Sequence, residues 1–142
     1  MVEALYTAVA TSRGDARNGE VTSSDGVIDE RLSIPKEMGG PGGEFTNPEQ
    51  LFAAGYSACF HSALQSVARQ AKVRLAESSV TAEVTIGKDG GDGFGLAVKL
   101  VVHLPGLENG QAAELAAQAH QLCPYSRATR GNIEVEVTAT TE

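Results

Sequence analysis

A chain of 142 residues, 42% hydrophobic and 20% charged, can fill a core of its own, which argues against general disorder and predicts one domain over residues 1–142. Asp and Glu outnumber Lys and Arg by 18 to 11, leaving a formal charge of −7 and a pI near 4.9. That balance excludes nucleic-acid binding through a basic surface.

Glu3–Ser12 mixes Tyr, Thr and Val and predicts a strand. Asn18-Gly19 and Asp25-Gly26 are hairpin-type dipeptides flanking Glu20–Ser24. Val27–Ile34 predicts a further strand, with Ile28, Leu32 and Ile34 on one parity. A small antiparallel sheet follows for the N-terminal third. Pro35–Asn47 (PKEMGGPGGEFTN) is too rich in Gly and Pro for regular structure and reads as a loop that connects elements or lines a site. Asn47 as cap, Pro48 at the first helical position and Gln50 three past the cap predict a helix from Pro48 to about Ala71. Its first half is apolar on nearly every side, which predicts burial all round. Gly55 in its interior predicts close approach of another backbone. Val80–Ile86 and Leu96–Val102 alternate as two strands of a hairpin, with Gly87–Gly95 as the turn. Gly110–Leu122 is a second helix with Asn109 as cap. Pro124 opens a short third helix to Arg130, and Asn132–Thr140 is a closing strand. The class is α+β, helices against a mainly antiparallel sheet.

The start of the chain carries Glu3 and no basic run, so it does not read as a signal peptide. Polar residues interrupt the uncharged run Gln50–Ala68, which fits a buried helix and not a membrane span. Two cysteines cannot build the disulfide framework of a small secreted scaffold, which predicts a cytoplasmic protein.

Four readings of Cys59 and Cys123 stand side by side. Both can be inert core residues. A two-cysteine redox cycle is a second reading: Cys59 is about three turns into a rigid apolar helix, where burial raises its pKa, while Cys123 sits at a helix boundary beside Tyr125, Arg127 and Arg130. A reactive Cys59 then needs a cation, and Arg13 and Arg17 are the upstream candidates. A metal site from Cys59, His61, His120 and Cys123 is disfavoured, because Cys59 and His61 point about 200° apart on one helix. A Cys–His hydrolase needs His103 or His120 beside Cys59, and no motif places them there.

NPEQLFAAGYSACF (Asn47–Phe60) and HQLCPYSRATRGNIEV (His120–Val135) closely resemble the organic hydroperoxide resistance (Ohr) proteins of the OsmC/Ohr superfamily. The similarity covers roughly Ala4–Thr138. It implies an OsmC-like fold with a long buried central helix, forming an intertwined homodimer, and a thiol peroxidase that needs no cofactor or metal. It implies Cys59 as the peroxidatic cysteine, Cys123 as the resolving cysteine, and Glu49 paired with Arg17. The segment after Tyr6 is one residue longer than in the family and adds a second basic residue, Arg13. The implied substrates are alkyl, aryl or fatty-acid hydroperoxides, and the implied reductant is dihydrolipoamide or a lipoylated protein. The rival class is a non-enzymatic thiol sensor or binding module.

Ten residues separate Glu49 from Cys59, roughly 15 Å along a straight helix. Glu49 therefore acts on the thiol only through a guanidinium, which stays charged when desolvated and can bond a carboxylate and a thiolate together. Phe52, Tyr56 and Phe60 near Cys59, with Met38 and Phe45 in or beside the glycine-rich loop, are the expected walls of an apolar substrate site.

Overall fold

Strands β1 (Ala10–Arg13), β2 (Glu20–Ser23) and β3 (Asp29–Arg31) form an antiparallel sheet in that order, with Thr11 opposite Thr22 and Val21 opposite Glu30. The structure, a computed structural model, describes residues 2–142. The chain divides into two units, the first ending at Leu51 and the second running Phe52–Glu142.

Both outer strands of the first unit are shorter than the side-chain pattern predicts. Residues 3–9 make no ladder among the described residues; the Val9 carbonyl accepts one bond, from the Ser24 N–H at 2.9 Å. β3 stops at Arg31 because the chain then changes partner. Leu32 bridges Thr46 in parallel, and the Ser33 N–H donates to the Thr46 carbonyl at 3.0 Å. Between them, the glycine-rich loop holds only one 3-10 turn, Lys36–Met38. A Cβ on Gly40 would overlap the Ile34 carbonyl, so this loop closes only around glycine.

Helix α1 (Pro48–Gln70) starts as its cap predicts: the Asn47 Oδ1 accepts the Gln50 N–H at 2.8 Å. In the second unit β4 (Ser79–Lys88) and β5 (Phe94–His103) pair antiparallel, with Val80 opposite Val102. Helices α2 (Asn109–Leu122) and α3 (Pro124–Thr129) lead to β6 (Glu134–Thr140), which lies parallel to β5 with Val137 opposite Leu100. The core joins Tyr56, Phe60, Leu64 and Val67 of α1, Val98, Leu100 and Val102 of β5, and Ala112, Leu115, Ala116 and Ala119 of α2.

Three local expectations are corrected. The first half of α1 is not buried on every side: Ala54 and Ala58 are exposed, since the core takes only the stripe containing Tyr56, Phe60, Leu64 and Val67. Gly55 faces a side chain, not a backbone; a Cβ there would stand 3.0 Å from the Tyr125 hydroxyl. Asn109 is inside α2 after Glu108, and its side-chain oxygen accepts from the Thr141 hydroxyl at 2.8 Å. Among the described residues no helix is long and apolar enough to cross a membrane.

Candidate active site

Cys123 is the single residue between two helices. Its N–H donates to the Ala119 carbonyl at 2.8 Å, ending α2, and its carbonyl accepts the Arg127 N–H at 3.0 Å, opening α3. Pro124, which lacks an N–H, takes the first position of α3 at no hydrogen-bond cost. The bend turns the Cys123 thiol toward α1, where it donates to the Cys59 sulfur at 3.6 Å across 64 positions of chain. Both cysteines are free.

The helix thiol is less buried than expected, and the boundary thiol is enclosed. Cys59 is half-buried and Cys123 is fully buried. The open side of α1 explains this, because it leaves the helix thiol reachable while α2, α3 and α1 enclose the other. Burial pushes the Cys59 pKa above the ordinary thiol value, the Tyr125 backbone N–H pulls it down, and the adjacent Cys123 thiol pushes it up again. A thiol so placed is a weak nucleophile until a positive charge favours its thiolate.

The first unit contains a fixed positive charge. Arg17 donates to both carboxylate oxygens of Glu49, Nη2 to Oε1 at 2.7 Å and Nη1 to Oε2 at 3.0 Å. The 3-10 turn Ala16–Asn18 presents Arg17, and the first turn of α1 presents Glu49. The hydrogen bond to Glu49 holds Arg17 above its ordinary pKa, and the same bond holds the Glu49 carboxyl below the usual range, burial opposing in each case. Arg13 instead faces Glu20 across the β1–β2 ladder. Of the two arginines, Arg17 meets Glu49.

A family model described as OsmC-like protein matches residues 40–138. The chain belongs to the OsmC-like family. It is 52% identical over 135 residues, 94% of either chain, to the organic hydroperoxide resistance protein of Xanthomonas axonopodis pv. citri. It also matches the crystal structure of an organic hydroperoxide resistance protein from Elizabethkingia anophelis at 49% identity and TM-score 0.93, over 99% of this chain and all of that one. The structure of such a protein from Legionella pneumophila matches at 47% identity and TM-score 0.92, over 98% of this chain and 100% of that one. Within the OsmC-like family the chain therefore sits with the organic hydroperoxide resistance proteins.

Two of the expected pocket walls in this OsmC-like chain are core. Tyr56 and Phe60 are fully buried, since they lie on the stripe of α1 that meets β5 and α2. Phe52 is partly buried and stacks on the Tyr125 ring at 5.9 Å. Met38 and Phe45 are exposed in the first unit. Phe45 lines two cavities of about 370 and 430 Å³ and carries the Arg31 guanidinium 4.5 Å over its ring.

The side chains around Cys123 were not foreseen in these roles. Tyr56 and Ser126 share a hydrogen bond of 2.7 Å between hydroxyls, and Ser126 Oγ shares another of 2.8 Å with His120 Nδ1. The motif HQLCPYS carried the signal, with His120 and Ser126 each three residues from Cys123. His61 pairs with Ser78 at 2.9 Å and His103 with Thr140 at 3.0 Å.

Proposed function

We propose that the protein is a thiol peroxidase that reduces alkyl, aryl or fatty-acid hydroperoxides to alcohols. The observation that carries this reading is the 3.6 Å approach of two free sulfurs, one reachable and one enclosed. The relatives' names, organic hydroperoxide resistance proteins, support the substrate class.

The Cys59 thiolate attacks the terminal oxygen of ROOH. The O–O bond breaks, the S–O bond forms, and the alkoxide leaves as ROH with a proton. Cys123 then attacks the Cys59 sulfenic acid, the S–O bond breaks, and water leaves behind a Cys59–Cys123 disulfide. Dihydrolipoamide or a lipoylated protein returns both thiols by exchange. Arg17, oriented by Glu49, supplies the charge that favours the Cys59 thiolate and meets the developing negative charge on the leaving oxygen. The working form is a cytoplasmic homodimer. Phe45, Met38 and Phe52 receive the organic tail.

Turnover tests the assignment against a thiol sensor. With excess dihydrolipoamide, the enzyme consumes many equivalents of cumene hydroperoxide per chain; a sensor stops after one, and that result would refute the proposal.

A further inference from the structure

A chain of hydrogen bonds with a buried centre runs beside the two cysteines at a fixed offset. Tyr56 is three residues before Cys59 on α1, His120 three before Cys123 on α2, and Ser126 three after it on α3. Ser126 Oγ is the centre, 2.7 Å from the Tyr56 hydroxyl and 2.8 Å from His120 Nδ1. Thr129 extends the chain: its Oγ1 lies 3.4 Å from the Tyr56 hydroxyl and donates to the Ser126 carbonyl at 3.1 Å. Arg130 Nη2 donates to the His120 carbonyl at 2.6 Å. Tyr56 and Ser126 are fully buried, so no water competes for the bond between them, while His120 is half-buried.

The arrangement ties together the three helices that meet at the thiols. Cys123 is the only residue linking α2 to α3, with ψ near 124°, and one joint residue leaves the angle between two helices free unless side chains set it. The His120–Ser126 bond spans that joint. The Ser126–Tyr56 bond fastens it to α1, three residues from Cys59. A core that needed only bulk here would be filled by apolar residues, whereas four polar side chains satisfy one another.

We infer that His120, Ser126 and Tyr56 are positioning residues that hold the Cys123 thiol on Cys59 for the disulfide-forming step. The inference rests on the peroxidase reading above. The step itself is condensation: the Cys123 sulfur bonds the sulfenic sulfur, and the hydroxyl leaves as water with the thiol proton. Disulfide formation brings sulfurs from 3.6 Å to about 2 Å, so a joint that wanders by an ångström lengthens the wait at sulfenic acid.

The test is a single-turnover experiment on the full-length reduced protein. One equivalent of cumene hydroperoxide is mixed in, and samples are quenched with dimedone at set times. Mass spectrometry then counts the Cys59 adduct and the disulfide. Tyr56→Phe removes one oxygen and no other volume; Ser126→Ala removes the centre of the chain. In either variant the rate of disulfide formation, relative to the rate of sulfenic acid formation, is expected to fall about tenfold. Val102→Ala, in the same core but outside the chain, is the control for lost stability and should keep the wild-type ratio. Should Ser126→Ala fail to fold, Tyr56→Phe decides. A wild-type ratio in Tyr56→Phe, or an equal fall in Val102→Ala, overturns the inference while leaving the peroxidase reading standing. Absence of both Cys59 adduct and disulfide in the wild type would instead sink the peroxidase reading, and the inference with it.

Discussion

The Cys123 thiol donates to the Cys59 sulfur at 3.6 Å, although 64 positions separate them. The proximity is built by a helix break at Cys123-Pro124, and it predicts that oxidation closes a loop within one chain. After stoichiometric peroxide, a non-reducing gel should show monomer that runs faster than the reduced form. A gel dominated by covalent dimers would contradict this.

Arg17 and Glu49 form a two-bond ion pair at 2.7 and 3.0 Å. Burial pushes the Cys59 pKa up, so the thiolate depends on a cation. Arg17→Ala should raise the pH midpoint of Cys59 alkylation and slow its oxidation at least about tenfold, the equivalent of about one pKa unit. Glu49→Ala should act the same way more weakly, by freeing the guanidinium. Arg13→Ala should be near neutral, because Arg13 faces Glu20 across the ladder. A large effect in Arg13→Ala with none in Arg17→Ala would reverse the assignment.

The same pair sets an acid dependence. The folded Glu49 pKa lies below its ordinary value, so the unfolded chain binds more protons in the window between them and stability rises with pH there. The contribution is complete above about pH 5 and fades as pH falls through the folded pKa. Arg17 is partly open to solvent, which limits the effect to about 1 kcal/mol. His120 is also held low, by burial first and by the charge of Arg130 second, and its slope has the same sign just below the usual imidazole value near about 6.5. Urea midpoints measured down to about pH 3 should therefore fall less for Glu49→Gln than for the wild type. Parallel curves would show that the pair does not stabilise the fold.

Phe45 is 43% and Met38 37% exposed, a poor position for core residues and a suitable one for meeting an organic tail. Each buried CH₂ of such a tail gains roughly 0.8 kcal/mol, so four carbons supply about 3 kcal/mol, a preference on the order of a hundredfold if expressed in the transition state. kcat/KM for cumene hydroperoxide should exceed that for hydrogen peroxide by at least about tenfold, and Phe45→Ala should narrow the gap. Equal values for the two peroxides would remove the apolar subsite from the account.

Local chemistry announced much of this fold. The Asn47-Pro48 start of α1, the alternation of β4 and β5 and the Cys123-Pro124 break all follow from short-range rules, and each is present. What depended on partners was harder to read. Residues 3–9 have the composition of a strand but pair with no strand among the described residues, and composition alone does not supply a pairing partner. Ala54 and Ala58 have no charge to mark their side of α1 as open, so the helix read as buried all round and the reachable thiol as the enclosed one. Parallel pairing of β6 leaves no local mark distinct from antiparallel pairing. The bonds among Tyr56, His120 and Ser126 join three helices, and no spacing within one helix could display them.

The order of events at the two sulfurs is the central claim, and the mass of the Cys123→Ser variant after one peroxide equivalent tests it most directly. The account predicts one added oxygen, located at Cys59 by peptide mapping, with no disulfide, while the wild type loses two hydrogens to a Cys59–Cys123 bond. An unmodified Cys59 in the Cys123→Ser variant, or a sulfenic acid at Cys123 in Cys59→Ser formed as fast, would contradict it.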